Sequence, residues 1–276
     1  MIMQAGVAVM LELAKILGSD LKPKRTIVFV AFTGEEAGLI GSQYFVDNFG
    51  KLFSGKPFAD INLDTDGSLF DKKIMILNAN TAKEWKFIFM GTDYTTGFLS
   101  QIVENDLDAS DQKSFIKAGI PAIQVFAGAT ENYHRPSDTK DKIDAEGMLK
   151  IATVVREVVE YLGDREDPMD FIGNNNSQSQ DAKPQSKSNR KASTGAVPDF
   201  AYNGKGVKIS SVMDGSPGQK AGLQKDDVIT ALNGVEVDNL RSYSDELKKY
   251  NPGEEVEITV KRINKNIKIN LVLGER

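Results

Sequence analysis

Apolar residues recur at helical spacing in two long stretches of the chain. In the first, which starts almost at residue 1, one face carries Val7, Met10, Leu11, Ala14 and Leu17. In the second, from Ala145 to Leu162, the same spacing is kept by Met148, Ile151, Val155, Val158 and Leu162. Both patterns predict amphipathic helices that bury one face.

Three short runs between these helices are typical of buried strands. Thr26 to Phe32 reads TIVFVAF, which is rich in β-branched and aromatic residues and apolar on both faces. Asp60 to Asp64 and Pro121 to Phe126 are the next such runs. Strands that alternate with helices predict an α/β fold, with helices on both faces of a sheet.

The composition changes after the second helix. Residues 164–192 are rich in Asn, Ser, Gln and Lys and almost free of apolar side chains, which predicts a flexible linker. Residues 193–276 contain four strand-like runs, KGVKISSV, DDVITALNGVEV, EEVEITVKR and NIKINLVL, and a helical segment from Leu240 to Tyr250. We therefore predict a first domain at residues 1–163 and a small β-rich domain at residues 193–276.

The bulk composition narrows the class of protein. Of 276 residues, 40% are apolar, which is enough to bury a core in each of two domains. The net charge of −5, from 39 acidic and 34 basic residues without a dense basic run, argues against a nucleic-acid partner. The absence of cysteine excludes disulfides and thiolate metal sites. No apolar run approaches the roughly 20 residues of a membrane span.

The first residues predict that the chain is a piece of a longer protein. MIMQAGVAVMLELAK has no basic segment followed by a cleavage site, so we predict no signal peptide in this chain. The first helix begins almost at residue 1, which is unusual for a domain. We therefore expect the first domain to be incomplete at its N-terminus.

Four residues with metal-binding or acid–base chemistry follow the predicted strands. Glu35 and Glu36 come just after the first strand. Asp64 ends the second, and His134, the only histidine, lies in the loop after the third. Ligands of open α/β sheets bind beyond the carboxyl ends of the strands, so these side chains can converge there. Carboxylate and imidazole bind zinc, and an adjacent carboxylate can serve as general base, so the pattern predicts a hydrolytic zinc site.

Each residue alone has an ordinary structural interpretation. A Glu-Glu pair after a strand commonly forms a solvated turn or places favourable charge at a helix N-terminus. An Asp that ends a strand commonly caps a turn, and a loop His commonly forms hydrogen bonds. It is the joint placement of the four that favours the metal site.

Four segments resemble, in order and spacing, metallopeptidase family twenty-eight, the co-catalytic zinc aminopeptidases. They are FVAFTGEEAGLIGS, NLDTDG, SDQKSFIKAGIPAI and YHRPSDTKDKID. The resemblance covers essentially residues 3–163. It implies the zinc exopeptidase fold, a mixed, largely parallel β-sheet flanked by helices, and a site with two zinc ions.

The resemblance also implies a role for each matched residue. Glu35 corresponds to the general base, and Glu36 and His134 to ligands of one zinc. Asp64 corresponds to a ligand of the other zinc. Tyr133 matches a tyrosine that stabilises the oxyanion of the tetrahedral intermediate in some members.

Two departures from the family pattern affect the metal site. The carboxylate that bridges the two zincs falls on Ile2 here, and the family's other histidine would precede residue 1. A catalytic zinc normally has three protein ligands, so we expect this chain to bind zinc poorly and to turn over slowly or not at all. The third residue of the family's Ser-Asp-His segment is Gln112, after Asp111, and the sequence assigns neither a role.

The second domain resembles PDZ domains of bacterial proteases through the segment SPGQKAGLQKDDVITALNG. The resemblance implies that a peptide adds to an open strand edge and that backbone N–H groups capture its carboxylate. By position, Thr194, Gly195, Ala196 and Val197 would form the carboxylate loop, residues 198–202 the edge strand, and Leu240 to Tyr250 the other wall. Pro198 removes one donor from that edge, so a packing module is an equal alternative.

Together these patterns predict an exopeptidase that removes N-terminal residues from peptides, with a PDZ module that recruits a peptide or partner. A non-catalytic, peptidase-like scaffold that acts through its PDZ domain is one alternative. An acyltransferase such as glutaminyl cyclase, which shares the fold, is another, although the PDZ module and the YHRPSDT loop favour the peptidase. The full-length protein is expected to be exported.

Overall fold

The computed structural model describes residues 4–20, 23–103, 110–130, 132–133, 135–173, 190–202 and 204–275. The chain divides into two compact units. The first comprises Met1–Gly128 and His134–Gln178, and the second comprises Ser179–Arg276 together with the short segment Ala129–Tyr133. In the described part of the chain, no helix has the length and apolarity needed to cross a membrane.

The first unit alternates helices and strands, as predicted. Its elements are α1 (Ala5–Asp20), α2 (Ile40–Leu52), β1 (Asp60–Leu63), β2 (Ile74–Leu77), α3 (Glu84–Thr96), β3 (Ser100–Val103), α4 (Gln112–Lys117), β4 (Ala122–Phe126) and α5 (Ala145–Asp164). Two short 3₁₀ helices, Ala79–Thr81 and Lys140–Lys142, complete the list of described elements.

The strands of this unit form a mixed sheet in the order β1-β4-β2-β3. The pairs β1–β4 and β2–β3 are parallel, and β4–β2 is antiparallel. One apolar cluster joins α1, α3 and α5 to the sheet, and it includes the fully buried Trp85, Ile123 and Val158. A smaller cluster around Phe115 and Ala122 packs beneath α2. The predicted mixed sheet flanked by helices is confirmed.

The strand predicted at Thr26 to Phe32 was wrong. The structure assigns these residues to no helix and no strand. Ile27 and Phe32 pack against the two apolar clusters, while Val28 and Phe29 are each 38% exposed. An apolar run on both faces indicates burial, but a strand also requires a hydrogen-bonded ladder, and the described sheet ends at β1.

The boundaries of the predicted linker also differ from the structure. Helix α5 extends to Asp164, and Met169 is buried in the first unit's core. The Arg165 guanidinium lies 3.4 Å from Glu84 Oε1, and the Ile172 N–H donates to the Thr81 carbonyl. At the other end, Ala192 is buried in the second unit's core. The polar middle of the predicted linker, residues 174–189, lies outside the described residues.

The second unit is β-rich, as predicted. It contains β5 (Ala192–Ser193), β6 (Ala196–Pro198), β7 (Val207–Val212), α6 (Pro217–Ala221), β8 (Val228–Leu232), β9 (Val235–Glu236), α7 (Leu240–Leu247), β10 (Glu255–Arg262), β11 (Lys265–Val272) and β12 (Gly274–Glu275). The main sheet runs β11-β10-β8-β7-β6, so β6 lies at its edge. Asn233 and Gly234 form the hairpin turn between β8 and β9, both with positive φ.

Two details of the second unit correct the sequence analysis. The edge strand is Ala196–Pro198 rather than residues 198–202, because Asp199 begins a turn: its Oδ1 accepts the Ala201 N–H at 3.0 Å. Ala196 and Val197 thus belong to the edge strand and not to a loop. Helix α7 ends at Leu247 rather than Tyr250.

Candidate active site

Glu35 and Glu36 lie in a tight turn between the segment Thr26 to Phe32 and α2. The Glu35 carbonyl accepts the N–H groups of Gly38 and Leu39 at 2.8 and 2.9 Å. The turn closes where Gly41 N–H donates to the Thr33 carbonyl, and a Cβ at Gly41 would lie 2.5 Å from that oxygen. Glu35 is half-buried and Glu36 is exposed, so the two adjacent glutamates have different environments.

Asp64 follows β1 directly, and two hydroxyl groups orient its carboxylate. Ser110 Oγ donates to Asp64 Oδ2 at 2.9 Å, and Thr65 Oγ1 donates to Oδ1 at 3.1 Å. Thr65 has a φ of 63°, a left-handed conformation that turns the chain sharply after the strand. The side chain predicted to bind metal is therefore held at the carboxyl end of β1.

Behind Asp64 lies a buried network of amide side chains centred on Gln112. Its Nε2 donates to Asn78 Oδ1 at 3.0 Å and to Gln124 Oε1 at 3.1 Å. Its Oε1 accepts from Asn62 Nδ2 at 2.9 Å, and Asn62 Nδ2 also donates to Ser110 Oγ at 2.8 Å. Because Ser110 Oγ accepts from Asn62, its own proton points to Asp64.

Three further carboxyl groups lie in or near β1, on the buried residues Asp66 and Asp111 and on the partly buried Asp60. Asp66 is fully buried, and both of its oxygens lack a hydrogen-bond partner among the described residues. Burial and the nearby Asp64 raise the pKa of Asp66 well above its usual value. Burial raises the pKa of Asp111, the Ser42 hydroxyl lowers it, and Asp64 raises it. Burial and then Asp111 raise the pKa of Asp60 to about 8.

The first turn of α1 packs on the end of β1 beside Asp66. A Cβ on Gly6 would lie 2.3 Å from the Leu63 carbonyl oxygen and 3.2 Å from Asp66 Oδ2. Only glycine permits this approach. The helix N-terminus that follows the Ile2 position thus lies next to the carboxylates of the site.

The two remaining predicted residues come from the loop after β4. Tyr133 is half-buried in a turn, and its N–H donates to the Thr130 carbonyl at 3.1 Å. It belongs to the segment grouped with the second unit. His134 lies outside the described residues, so the predicted assembly of Glu35, Glu36, Asp64 and His134 stays a prediction.

The predicted ligands carry the kinds of donor atom that zinc binds. Carboxylate and imidazole are ordinary zinc ligands. Both oxygens of Asp66 and Oδ1 of Asp111 have no hydrogen-bond partner in the described structure, and a bound cation would favour the ionised form of these buried carboxyl groups. Within the described ranges, which omit His134, no group of three His, Cys, Asp or Glu side chains is close enough to hold a metal ion.

In the second unit, the predicted carboxylate loop is closed by its own hydroxyl groups. Gly195 N–H donates to Ser193 Oγ at 3.1 Å, and Ala196 N–H donates to Thr194 Oγ1 at 3.3 Å. The buried hydroxyls of Thr194 and Tyr243 are 2.8 Å apart and connect this loop to α7. Gly195 has a φ of 78° and leaves no room for a Cβ, which would lie 2.2 Å from Ser216 Cβ.

A family model described as Peptidase family M28 matches residues 5–159, which is more than half of the chain. The chain belongs to peptidase family M28. A PDZ domain model matches residues 178–273. Both resemblances found in the sequence are confirmed, and the family M28 match covers all the described site residues of the first unit.

This chain is similar to parts of longer proteins. Aminopeptidase YwaD of Bacillus subtilis is 28% identical over 165 residues, 56% of this chain and 36% of that protein. Zinc metalloprotease RasP of Shouchella clausii is 49% identical over 74 residues, 25% of this chain and 18% of that protein. The structure of an aminopeptidase from Aneurinibacillus sp. strain AM-1 matches with a TM-score of 0.51 and 28% identity, covering 62% of this chain and 42% of that one. The chain thus spans less than half the length of these relatives.

Sequence reasoning missed the residues that support Asp64. Asp60 and Asn62 lie on one face of β1, and Asp64, the first residue after the strand, continues the same alternation. Polar residues at every second position of a predicted buried strand were the available signal. Ser110 and Gln112 lie some 50 residues further along the chain, and only the fold brings them to that face.

Proposed function

We propose that the first unit is the catalytic part of a zinc-dependent aminopeptidase, which hydrolyses the N-terminal residue from a peptide. The orientation of Asp64 by Ser110 is the observation that carries the proposal. The buried oxygens of Asp66 and Asp111 support it, since such surroundings favour a cation. The relatives named aminopeptidase support the reaction class.

In this proposal each predicted residue has one role. Glu36, Asp64 and His134 would hold zinc, with two ions in a complete site. Zinc, when bound, supplies Lewis acidity that polarises a carbonyl and makes water more acidic. Glu35 accepts the proton of the attacking water and returns it to the leaving amine. The Tyr133 phenol donates to the oxyanion that develops on the scissile carbonyl.

We further propose that this chain holds zinc weakly because Ile2 stands where the family carries its bridging carboxylate. An isoleucine offers zinc no ligand atom. The remaining ligands would be Glu36 and His134 for one ion and Asp64 for the other. Turnover would then be slow, although the general base Glu35 is present.

The test is to measure bound zinc per chain after equilibration in zinc buffers, together with hydrolysis of an aminoacyl p-nitroanilide. Ile2→Asp should raise both, with a gain in zinc affinity of about 10-fold or more. Glu35→Gln in the same background should retain the zinc and lose the hydrolysis. Fast hydrolysis by the unmodified chain would refute the weak-zinc proposal, and an Ile2→Asp variant without zinc would refute the site.

A second proposed function belongs to the PDZ unit, which would capture a peptide or protein partner. Strand β6 is the sheet edge that a peptide would extend, and α7 would be the opposite wall. The hydroxyls already bonded to the N–H groups of Gly195 and Ala196 favour instead a scaffold whose loop is closed. A fluorescent library of C-terminal peptides distinguishes them: a binder competed by free peptide supports capture, and a library without binders supports the packing role.

The boundaries of the two domains and the cellular location of the protein are also proposals. From the sequence we propose domains at residues 1–163 and 193–276 joined by a linker at residues 164–192, although the described ends of that linker pack on the two units through Met169 and Ala192. We also propose that the full-length protein is exported, because its PDZ segment resembles those of bacterial proteases. Limited proteolysis would test the linker by cleavage within residues 174–189, and cell fractionation of the full-length protein would test export.

A further inference from the structure

Helix α3 exposes an apolar stripe on the side opposite the core. Trp85 and Phe89 are buried on its inner face. On its outer face Phe87 is 64% exposed, Met90 63% and Tyr94 91%. Residues 87, 90, 91 and 94 follow the spacing i, i+3, i+4 and i+7, so they form one continuous surface. Folding of the unit does not require this second apolar face.

Gly91 makes a notch in the middle of the stripe. A Cβ built on Gly91 would meet no atom within 4 Å. The notch lies between the exposed side chains of Phe87, Met90 and Tyr94, which project around it. A surface with projecting side chains beside a gap can be complementary to itself.

We propose that this stripe is the interface of a homodimer in which two α3 helices pack antiparallel about a two-fold axis. An axis between Met90 and Gly91 places Phe87 opposite Tyr94 of the second copy. It also places Met90 in the notch at Gly91 of the second copy. Each copy thus contributes one aromatic pair and one filled notch, and a glycine permits close approach of the helices.

The charges on α3 agree with this arrangement. Lys86 is exposed beside the stripe and would lie opposite Thr95 of the second copy. It would therefore face the C-terminal end of the partner helix, where the helix dipole favours a cation. No charged residue would lie opposite one of the same sign within residues 86–95. An acidic peptide, by contrast, would find two lysines near the stripe, Lys86 and Lys83, and the Lys83 ammonium already lies 3.6 Å from Asp170 Oδ2.

The exposed area predicts a weak dimer. With about 200 Å² for each fully exposed side chain, the three residues offer roughly 440 Å² per copy and about 900 Å² in the pair. A specific interface buries about 1,000 Å² or more. The area of the stripe is slightly below this value, and the side chains of Lys86 and Thr95 at the rim would supply the remainder. We therefore expect reversible association with a Kd of about 10 to 100 μM.

Sedimentation velocity of the full chain from about 1 to 200 μM tests the proposal, and a monomer–dimer equilibrium is expected. Met90→Lys should weaken the dimer about 10-fold or more, and Gly91→Leu, which fills the notch that receives Met90 of the second copy, should weaken it similarly. Leu149→Lys on α5, where Leu149 is 66% exposed, is the matched control and should change nothing. Circular dichroism checks that each variant is folded.

The absence of cysteine from the chain permits a test of register. Phe87→Cys mixed with Tyr94→Cys should form an oxidised cross-link, and Phe87→Cys alone should form far less. A chain that stays monomeric at all concentrations would overturn the proposal, as would a dimer that Met90→Lys leaves intact. Preferential cross-linking of Phe87→Cys to itself would overturn the two-fold register. These results do not depend on zinc or peptidase activity.

Discussion

Ser110 Oγ donates to Asp64 Oδ2 at 2.9 Å while it accepts from Asn62 Nδ2 at 2.8 Å. The accepted bond determines where the Ser110 proton points, so the Asp64 carboxylate is oriented before any ligand arrives. Outer hydrogen bonds of this kind normally contribute to the affinity of a metal site. Two hydrogen bonds thus connect Asp64, the proposed zinc ligand, to Ser110 and through it to Asn62.

Replacing Ser110 by Ala should weaken zinc binding by about 10-fold, because Asp64 Oδ2 loses its donor. Competition with a chromophoric chelator would measure the affinity, best in the Ile2→Asp background. Ser114→Ala is the control, since Ser114 is also buried in this region but bonds to Ser42 Oγ at 2.9 Å. Equal zinc affinity in the two variants would show that the Ser110 bond has no such effect.

Replacing Gln112 by Leu should destabilise the first unit by about 3 kcal/mol, since it leaves Asn62, Asn78 and Gln124 without their buried partner. Gln112→His, which restores the family residue, keeps a donor and an acceptor and should cost less. Urea unfolding followed by fluorescence of Trp85, the only tryptophan, reports on this unit. A leucine variant at least as stable as the histidine variant would contradict the prediction.

The sequence predicted the elements whose apolar spacing is strong. The helices at Ala5–Asp20 and Ala145–Asp164 and the strands at Asp60–Leu63 and Ala122–Phe126 all lie where the pattern placed them. Residues Thr26 to Phe32 show the limit of the method, because their apolar composition predicts a buried strand, whereas Val28 and Phe29 are exposed and the described sheet ends at β1. The network around Gln112 shows another limit, since its members are local in space but scattered along the chain.

The raised pKa of Asp60 predicts that the stability of the first unit depends on pH. Its pKa rises from 3.8 to about 8 on folding, so the folded state retains a proton that the unfolded state has lost. Stability therefore decreases as the pH rises from about 4 towards 8. Asp60→Asn, which stays neutral, should be more stable than the parent at pH 8, by at most about 5 kcal/mol for a pKa difference of about four units, and equal to it near pH 4. Thermal unfolding at both pH values checks this, and a constant difference would contradict it.

Replacing the adjacent residues Asp226 and Asp227 should lower the stability of the second unit by very different amounts. Asp227 is fully buried, and Arg262 binds both its oxygens at 2.7 Å. Asp227→Asn leaves the arginine without its charged partner and should cost about 3 kcal/mol. Asp226 pairs with Lys208 at the surface, where solvent screens the two charges, so Asp226→Asn should change the stability little. Calorimetry of the second unit's transition would compare them, and equal losses would show that burial does not decide the effect.

Two glycines of the second unit have nearly the same φ but different surroundings. Replacing each by alanine therefore distinguishes the cost of backbone strain from the cost of a steric clash. Gly195 has a φ of 78° and Gly234 one of 77°. A Cβ at Gly195 would lie 2.2 Å from Ser216 Cβ, whereas a Cβ at Gly234 would meet nothing within 4 Å. Gly234→Ala should therefore cost only backbone strain, about 1 kcal/mol. Gly195→Ala should cost about 3 kcal/mol or more, because α6, which begins after Ser216, must also move.

The same pair tests whether the loop at Gly195 serves peptide binding. Movement of α6 would shift the N–H groups of Gly195 and Ala196, so Gly195→Ala should abolish capture of any peptide that the parent binds. Gly234→Ala should retain it, because Gly234 lies in the β8–β9 hairpin and not in the proposed loop. Fluorescence polarisation with such a peptide measures both variants. Retained affinity in a folded Gly195→Ala variant would exclude this loop as the carboxylate site.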